Sequence, residues 1–304
     1  MSTRSIQSRT PKADIAIIGG SGLYHMEGLT HIKEVRITTP FGKPSDSIIL
    51  GTFEGLKVAF LARHGRGHRI NPSSINYRAN IHALKSLGVS RVFSVSAVGS
   101  MKKNIPPGDF VLPDQFIDRT TQRLATFFDE GIVAHVSFSD PICNMLSSVL
   151  WKASKKVSVK VHRPGTYLCM EGPQFSTRAE SLLYRKWGVD VIGMTNITEA
   201  KLAREAELCY ATLALVTDYD CWHETEEAVS VGAILTIMHK NVETAKKVLH
   251  HALKSAKNLG PCTCHTALEH AVITPLTQIS PAQKKRYHVL LQRQLLTTRQ
   301  TKKR

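Results

Sequence analysis

The stretch from Ser73 to Ser100, SSINYRANIHALKSLGVSRVFSVSAVGS, changes its period halfway along. Up to Leu87 the apolar residues Ile75, Ile81, Leu84 and Leu87 form one set at helical spacing, and Gly88 supplies the left-handed residue that often ends a helix. From Arg91 to Ala97 the run reads as a buried strand. The same alternation extends outward in both directions. Asp14 to Ile18, Lys57 to Ala62, Asp190 to Met194 and Tyr210 to Thr217 read as further strands. Thr177-Arg178-Ala179-Glu180 fits a capping box opening a helix that closes at Gly188, and Glu226 to Asn258 has the period of a longer amphipathic helix. The pattern predicts an α/β fold with a central mixed or mainly parallel sheet flanked by helices. No repeat or linker interrupts it, so one domain is expected over 14–295, between basic tails at 1–13 and 296–304.

The composition sets bounds. The chain has 304 residues, 42% of them hydrophobic, enough for a large core. Its longest uninterrupted apolar run, Val58 to Ala62, is strand-sized, so no membrane span is expected. The polar start lacks a signal-peptide core, which predicts a cytoplasmic protein, with the basic ends leaving the nucleus open as a second location. The net charge of +16 is concentrated in those ends: residues 1–13 and 271–304 carry eleven Lys and Arg and no acid. No nucleic-acid recognition motif accompanies them, so a solvated tail and no specific nucleic-acid partner are expected.

Six cysteines at 143, 169, 209, 221, 262 and 264 form no C-x-x-C pair and read as free thiols. Cys262-Thr263-Cys264-His265 is the single cluster and lacks a second ligand pair in sequence, so no metal site is expected. Trp222-His223-Glu224-Thr225-Glu226-Glu227 starts like a zinc-protease helix but has Glu227 where the second His should stand.

Ligands of open α/β sheets collect beyond the carboxyl ends of strands. Gly19-Gly20-Ser21-Gly22 follows the first strand and suits close approach of an anion, although it is neither a dinucleotide fingerprint nor a Walker loop. Arg63-His64-Gly65-Arg66-Gly67-His68 follows the second, with Arg63 suited to a bidentate grip on phosphate. Ser94 to Ser100 adds hydroxyls, so three exits suggest one shared anion site. Glu171-Gly172-Pro173-Gln174-Phe175-Ser176 offers a ring for stacking and a carboxylate for sugar hydroxyls. Asp218 and Asp220, at i and i+2 after the last strand, point to the same side and can address two adjacent atoms of a heterocycle.

Six segments in order resemble one family: Ile17 to Leu23, Thr39 to Asp46, Leu61 to Gly65, Asp114 to Thr121, Glu171 to Ser176, and Thr217 to Trp222 with Glu226 to Val231. They are similar to the trimeric purine nucleoside phosphorylases, in the form taken by members that cleave 5′-methylthioadenosine. The resemblance implies phosphorolysis of that nucleoside to adenine and 5-methylthioribose-1-phosphate, a pentosyl transfer without metal or organic cofactor in which inorganic phosphate is a substrate. It implies that Ser21, Arg63, His64, Ser96, Ala97 and Thr195 hold phosphate. Phe175 would pack on the base, Met194 under the ribose, and Asp218 and Asp220 would serve catalysis at the purine edge. Val229 and Val231 would line the pocket, and His135 and Leu290 would reach a neighbour's site in a homotrimer. A raised pKa would let Asp218 donate to N7 while Asp220 accepts from the 6-amino group.

The alternative within the family is a purine nucleoside phosphorylase of broader or 6-oxopurine preference, which carries Asn at the position of Asp218. The sequence departs from the family pattern at Gly193, where Asn is common, at Ser21 and Ser96, which replace threonines, and at Thr198, which replaces proline. A catalytically dead relative acting as a ligand sensor is the remaining reading, though no expected catalytic residue is missing.

Overall fold

The computed structural model describes residues 12–24, 26–223 and 231–301. The strands are β1 Ile15–Gly19, β2 Leu29–Val35, β3 Ile48–Phe53, β4 Leu56–Ala62, β5 Arg91–Ser100, β6 Phe110–Val111, β7 Gln115–Arg119, β8 Val161–His162, β9 Thr166–Met170, β10 Val191–Gly193 and β11 Cys209–Asp218. The helices are α1 Tyr77–Ser86, α2 Asn144–Ser154, α3 Arg178–Lys186, α4 Asn196–Glu205, α5 Val231–Ala256, α6 Pro281–Arg286 and α7 Gln292–Thr301.

All eleven strands belong to one mixed sheet, as the alternation predicts. At its centre β4, β1, β5 and β11 run parallel, with Ile18 opposite Leu61 and Ser94, and Ser94 opposite Thr212. This register brings four carboxyl ends to one edge, where a ligand can meet all of them. The long β5 serves two arms: β11 pairs along most of it, while β10 joins its last residues antiparallel, at Gly99 and Ser100, and leads on to β9 and β7. Every residue of β1 and nearly every residue of β11 is buried, as expected for parallel strands covered on both faces. Helices α2 and α5 pack on each other and on β11, and α4 packs on β11 and α1.

The structure differs from the sequence reading in instructive places. Six strands, β2, β3, β6, β7, β8 and β9, were not predicted. β2 is a mostly exposed edge strand without a clean apolar alternation, and β6 and β8 have two residues each, so tertiary pairing alone makes them strands. The predicted helix from Ser73 begins at Tyr77, because Pro72–Ser74 form a 3-10 turn and Asn76 accepts from the Ala79 N–H as the cap. The capping box Thr177/Glu180 is present. The helix expected from Glu226 is described from Val231. At the C-terminus α7 continues across the expected boundary at 295/296, since Leu295 packs against the core. Ala13, assigned to the tail, is already buried.

His82, on α1, is 4% exposed, lies 5.4 Å from Phe41 and 6.5 Å from Phe127 between ring centroids, and has no hydrogen-bond partner among the described residues on either ring nitrogen. Burial lowers its pKa from 6.5 to about 4. The unfolded chain therefore takes up a proton that the folded one refuses, and stability falls as pH drops through that window. A loss of about 2 kcal/mol between pH 7 and pH 5 is expected from this residue, and His82→Leu should flatten the decline of Tm with acid. Parallel Tm–pH curves for parent and variant would exclude the assignment.

Candidate active site

The strand exits converge as their register requires. The Arg63 N–H donates to the Gly19 carbonyl at 3.0 Å, tying the end of β4 to that of β1. The Arg63 side chain, 3% exposed, turns under β5. Its Nη1 donates to the Val95 carbonyl at 2.9 Å and its Nη2 to Ser94 Oγ at 2.6 Å, while Nε and Nη2 both bond Glu199 on α4. Glu199, 1% exposed, also accepts from Ser94 Oγ and from the Tyr210 hydroxyl at 2.8 Å. Asn196 Nδ2 lies within 3.0 Å of Ser94, Tyr210 and Thr212 oxygens. This buried knot fixes the guanidinium but occupies its fork, so the bidentate grip on an anion expected of Arg63 is taken by Glu199. Sequence reasoning missed Glu199. The available signal was the rule that an arginine at the end of a buried strand needs a carboxylate partner.

His64, half-buried, has Nδ1 2.8 Å from the Ile70 carbonyl, and its ring stacks on His68 at 4.1 Å. Burial, reinforced by Arg63, lowers its pKa to about 4, so the imidazole is neutral near pH 7. The Ile70 carbonyl can only accept, so Nδ1 carries the proton and Nε2 remains an acceptor. Arg66 of the same loop is engaged by Glu34 at 2.6 Å and by Asp46 at 3.1 Å.

On β5, Ser96 is buried and Ala97 is the one exposed residue of the strand, which opens the sheet at that point. Thr195, 4% exposed, stands at the N-cap of α4 without using its side chain as a cap. Thr198 occupies the first turn of that helix, a position that also tolerates proline, so its departure from the family pattern needs no backbone change. Ser21 opens a 3-10 turn directly after β1.

The departure at Gly193 has a packing cause. A Cβ there would stand 1.9 Å from the hydroxyl oxygen of the fully buried Tyr167 and 3.2 Å from Val98 Cγ1. That hydroxyl lies 3.4 Å from Ser96 Oγ, so Tyr167 fills the space of the missing side chain and braces β5. Gly193→Asn should lose about 1–3 kcal/mol in urea unfolding, and a second substitution, Tyr167→Val, should restore part of it. A Gly193→Asn chain as stable as the parent would refute the steric account.

Asp218 ends β11 opposite Gly99 of β5. It accepts from Thr217 Oγ1 at 2.7 Å and from the Asp220 N–H at 2.8 Å. Asp220, 8% exposed and at φ +53°, has its carboxyl pKa pushed up, first by burial and then by the charge of Asp218. Trp222 Nε1 donates to the Ser100 carbonyl at 2.7 Å and anchors the turn.

Other expected site residues fare differently. Phe175 is 51% exposed, consistent with an open stacking face. Met194 packs on Gly172, where a Cβ would meet its sulfur at 2.6 Å. Glu171 is not free for sugar hydroxyls: its carboxylate accepts from Ser73 Oγ, from the Gln122 N–H at 3.2 Å and from Arg123 Nε at 3.1 Å. Although its burial works in the opposite direction, these partners lower its pKa to about 2. Arg123, absent from the sequence reading, also bonds the Glu171 carbonyl at 2.6 Å and the Met194 carbonyl, clamping two site loops together. His135 is exposed, but Leu290 is 2% exposed within this chain's own core, which corrects the expectation that it reaches a neighbour. Val229 and the side chains of Ser21 and Val231 lie outside the described residues.

Glycine-rich and hydroxyl-bearing strand ends meet a carboxylate pair at the carboxyl edge of the sheet, where enzymes of open α/β architecture place their ligands. The chain belongs to the phosphorylase superfamily, whose sequence pattern it matches over residues 14–254. It is 56% identical to the S-methyl-5′-thioadenosine phosphorylase of Koribacter versatilis, over 92% of this chain and 96% of that one. Its fold is similar to the crystal structure of a methylthioadenosine phosphorylase from an antarctic soil metagenomic library, with TM-score 0.89, 52% identity and coverage of 92% and 99%. It is also similar to methylthioadenosine phosphorylase from Schistosoma mansoni in complex with adenine, with TM-score 0.79, 35% identity and coverage of 84% and 96%.

Proposed function

We propose that the chain catalyses phosphorolysis of 5′-methylthioadenosine to adenine and 5-methylthioribose-1-phosphate. The carrying observation is the register of β11 with β5: it sets Asp218 opposite Gly99, two residues beyond the exposed Ala97. In the reaction the ribosyl C1′–N9 bond breaks, a phosphate oxygen bonds C1′, and the leaving adenine gains a proton. Charge therefore develops in two places, positive at the sugar and negative on the purine. Ser21, Ser96, Ala97, Thr195 and His64 are proposed to hold phosphate on the sugar side, with His64 Nε2 accepting from a phosphate hydroxyl. Arg63 contributes a fixed positive charge beneath them, oriented by Glu199.

On the purine side Asp218 addresses N7 and Asp220 accepts from the 6-amino group, the leaving proton entering through this carboxyl pair. Phe175 packs on the base, Met194 lies under the ribose, and Val229 and Val231 line the remainder. The proposal requires no metal or organic cofactor for the chemistry. It includes a homotrimer in which His135 faces the neighbouring site, and a cytoplasmic location; nothing observed favours the nucleus. Among the described residues no helix is long and apolar enough to cross a membrane.

Adenine release from 5′-methylthioadenosine should depend strictly on inorganic phosphate and exceed turnover of adenosine and inosine. Equal or faster cleavage of inosine would favour the 6-oxopurine alternative, and phosphate-independent release would refute phosphorolysis.

A further inference from the structure

Cys262 and Cys264, which lack a second ligand pair in sequence, acquire one in the fold. Cys143, the residue before α2, and Cys209, the first residue of β11, bring their sulfurs to the same place, and all four Sγ atoms lie within 4.8 Å of one another. Cys143, Cys209 and Cys264 are buried, Cys262 is half-buried, and all four are free thiols. The Cys143–Cys262 separation is 3.7 Å. A tetrahedral zinc ion with Zn–S bonds of about 2.3 Å needs sulfurs about 3.8 Å apart along every edge. Two disulfides would need only two close pairs, whereas mutual approach of four sulfurs is what a single central ion demands.

The surroundings also suit a thiolate site. The Cys143 N–H donates to the Tyr210 carbonyl at 2.9 Å, which holds the start of α2 beside β11. Thr263–Thr266 form a 3-10 turn, closed by the His265 N–H bonding the Cys262 carbonyl, that presents Cys262 and Cys264 together. His265 Nε2 stands 3.4 Å from Cys209 Sγ and 3.3 Å from the Ser90 carbonyl, an orienting partner outside the sulfur shell. Arg91 donates to the Leu259 and Gly260 carbonyls at 2.8 and 2.7 Å, fixing the approach of the 259–264 segment and placing positive charge near it.

We infer that Cys143, Cys209, Cys262 and Cys264 form a structural site for one soft divalent metal ion, zinc, that fastens the 259–266 segment to the amino end of β11. Binding replaces up to four S–H protons with four metal–sulfur bonds, and the released protons leave the tetrathiolate centre with a charge of −2. Cys209 and the Asp218 carboxylate stand at opposite ends of a ten-residue strand, so the ion takes no part in the reaction.

The test uses the full chain, purified with a phosphine reductant and without a chelating tag. Elemental analysis should give one zinc per chain, and exchange for cobalt should produce sulfur-to-cobalt charge-transfer absorption and intense tetrahedral d–d bands. Cys262→Ser with Cys264→Ser should abolish both and lower Tm by about 5 °C or more in reductant, with phosphate-dependent turnover at 25 °C close to the parent's. Should that variant fail to fold, the zinc content and cobalt spectrum of the parent decide alone. A reduced parent that takes up neither zinc nor cobalt overturns the inference, as do intramolecular disulfides among these four residues in protein whose thiols were alkylated at lysis.

Discussion

Glu199→Gln is expected to lower the unfolding free energy by about 3–5 kcal/mol, the largest loss of stability for any single change in the chain considered above, because it leaves the Arg63 guanidinium charged and unpaired in the interior. The substitution keeps size and shape, so no cavity confuses the result. Glu199 accepts from Arg63, Ser94 and Tyr210, and a neutral amide offers one acceptor oxygen where the carboxylate offers two. Denaturant titration of parent and variant measures the difference directly. The double variant Arg63→Met with Glu199→Leu should recover much of the stability, since apolar replacement of a buried ion pair is often tolerated, while losing phosphate-dependent turnover. A loss under 1 kcal/mol for Glu199→Gln would show that solvent or another carboxylate screens Arg63, and the pair would lose its positioning role.

Asp218→Asn should reduce kcat/KM for 5′-methylthioadenosine by about 100-fold or more, the scale on which a positioned proton donor acts. The fold can accept the change. If the new amide faces Thr217, that hydroxyl can turn to the Val98 carbonyl 3.2 Å away, and the remaining amide oxygen still accepts from the Asp220 N–H. The loss is therefore chemical. An amide can donate to N7 but cannot transfer a proton to it, whereas its second N–H can also donate to the adjacent 6-oxo oxygen of inosine. Turnover of inosine relative to methylthioadenosine should rise accordingly. An unchanged ratio would remove Asp218 from base recognition.

Much of this was legible in the chain. The parallel centre could be read because β1, β4, β5 and β11 are buried on both faces, which forces short apolar runs, and because Gly88 and the Thr177/Glu180 box mark helix ends with their own chemistry. The strand exits could be read because glycines and hydroxyls there serve no core. The second arm of the sheet could not. β7 pairs with β9 and β9 with β10, and the sequences of β7 and β9 carry no periodic signal strong enough to stand without those partners. Leu290 matched the family by position, but the packing of α6 and the Tyr287 region draws it inward.

The sequence by itself determined which segments are strands of the parallel centre and which residue types crowd its carboxyl edge, because burial and backbone conformation act locally on side-chain choice. Only the tertiary structure decided that Glu199 claims Arg63, that Tyr167 occupies the space at Gly193, that Arg123 and Glu171 clamp each other, and that four distant cysteines meet. Each of these is a pairing across more than twenty residues of sequence, and a partner at that distance is selected by where the sheet places it, which no local pattern records.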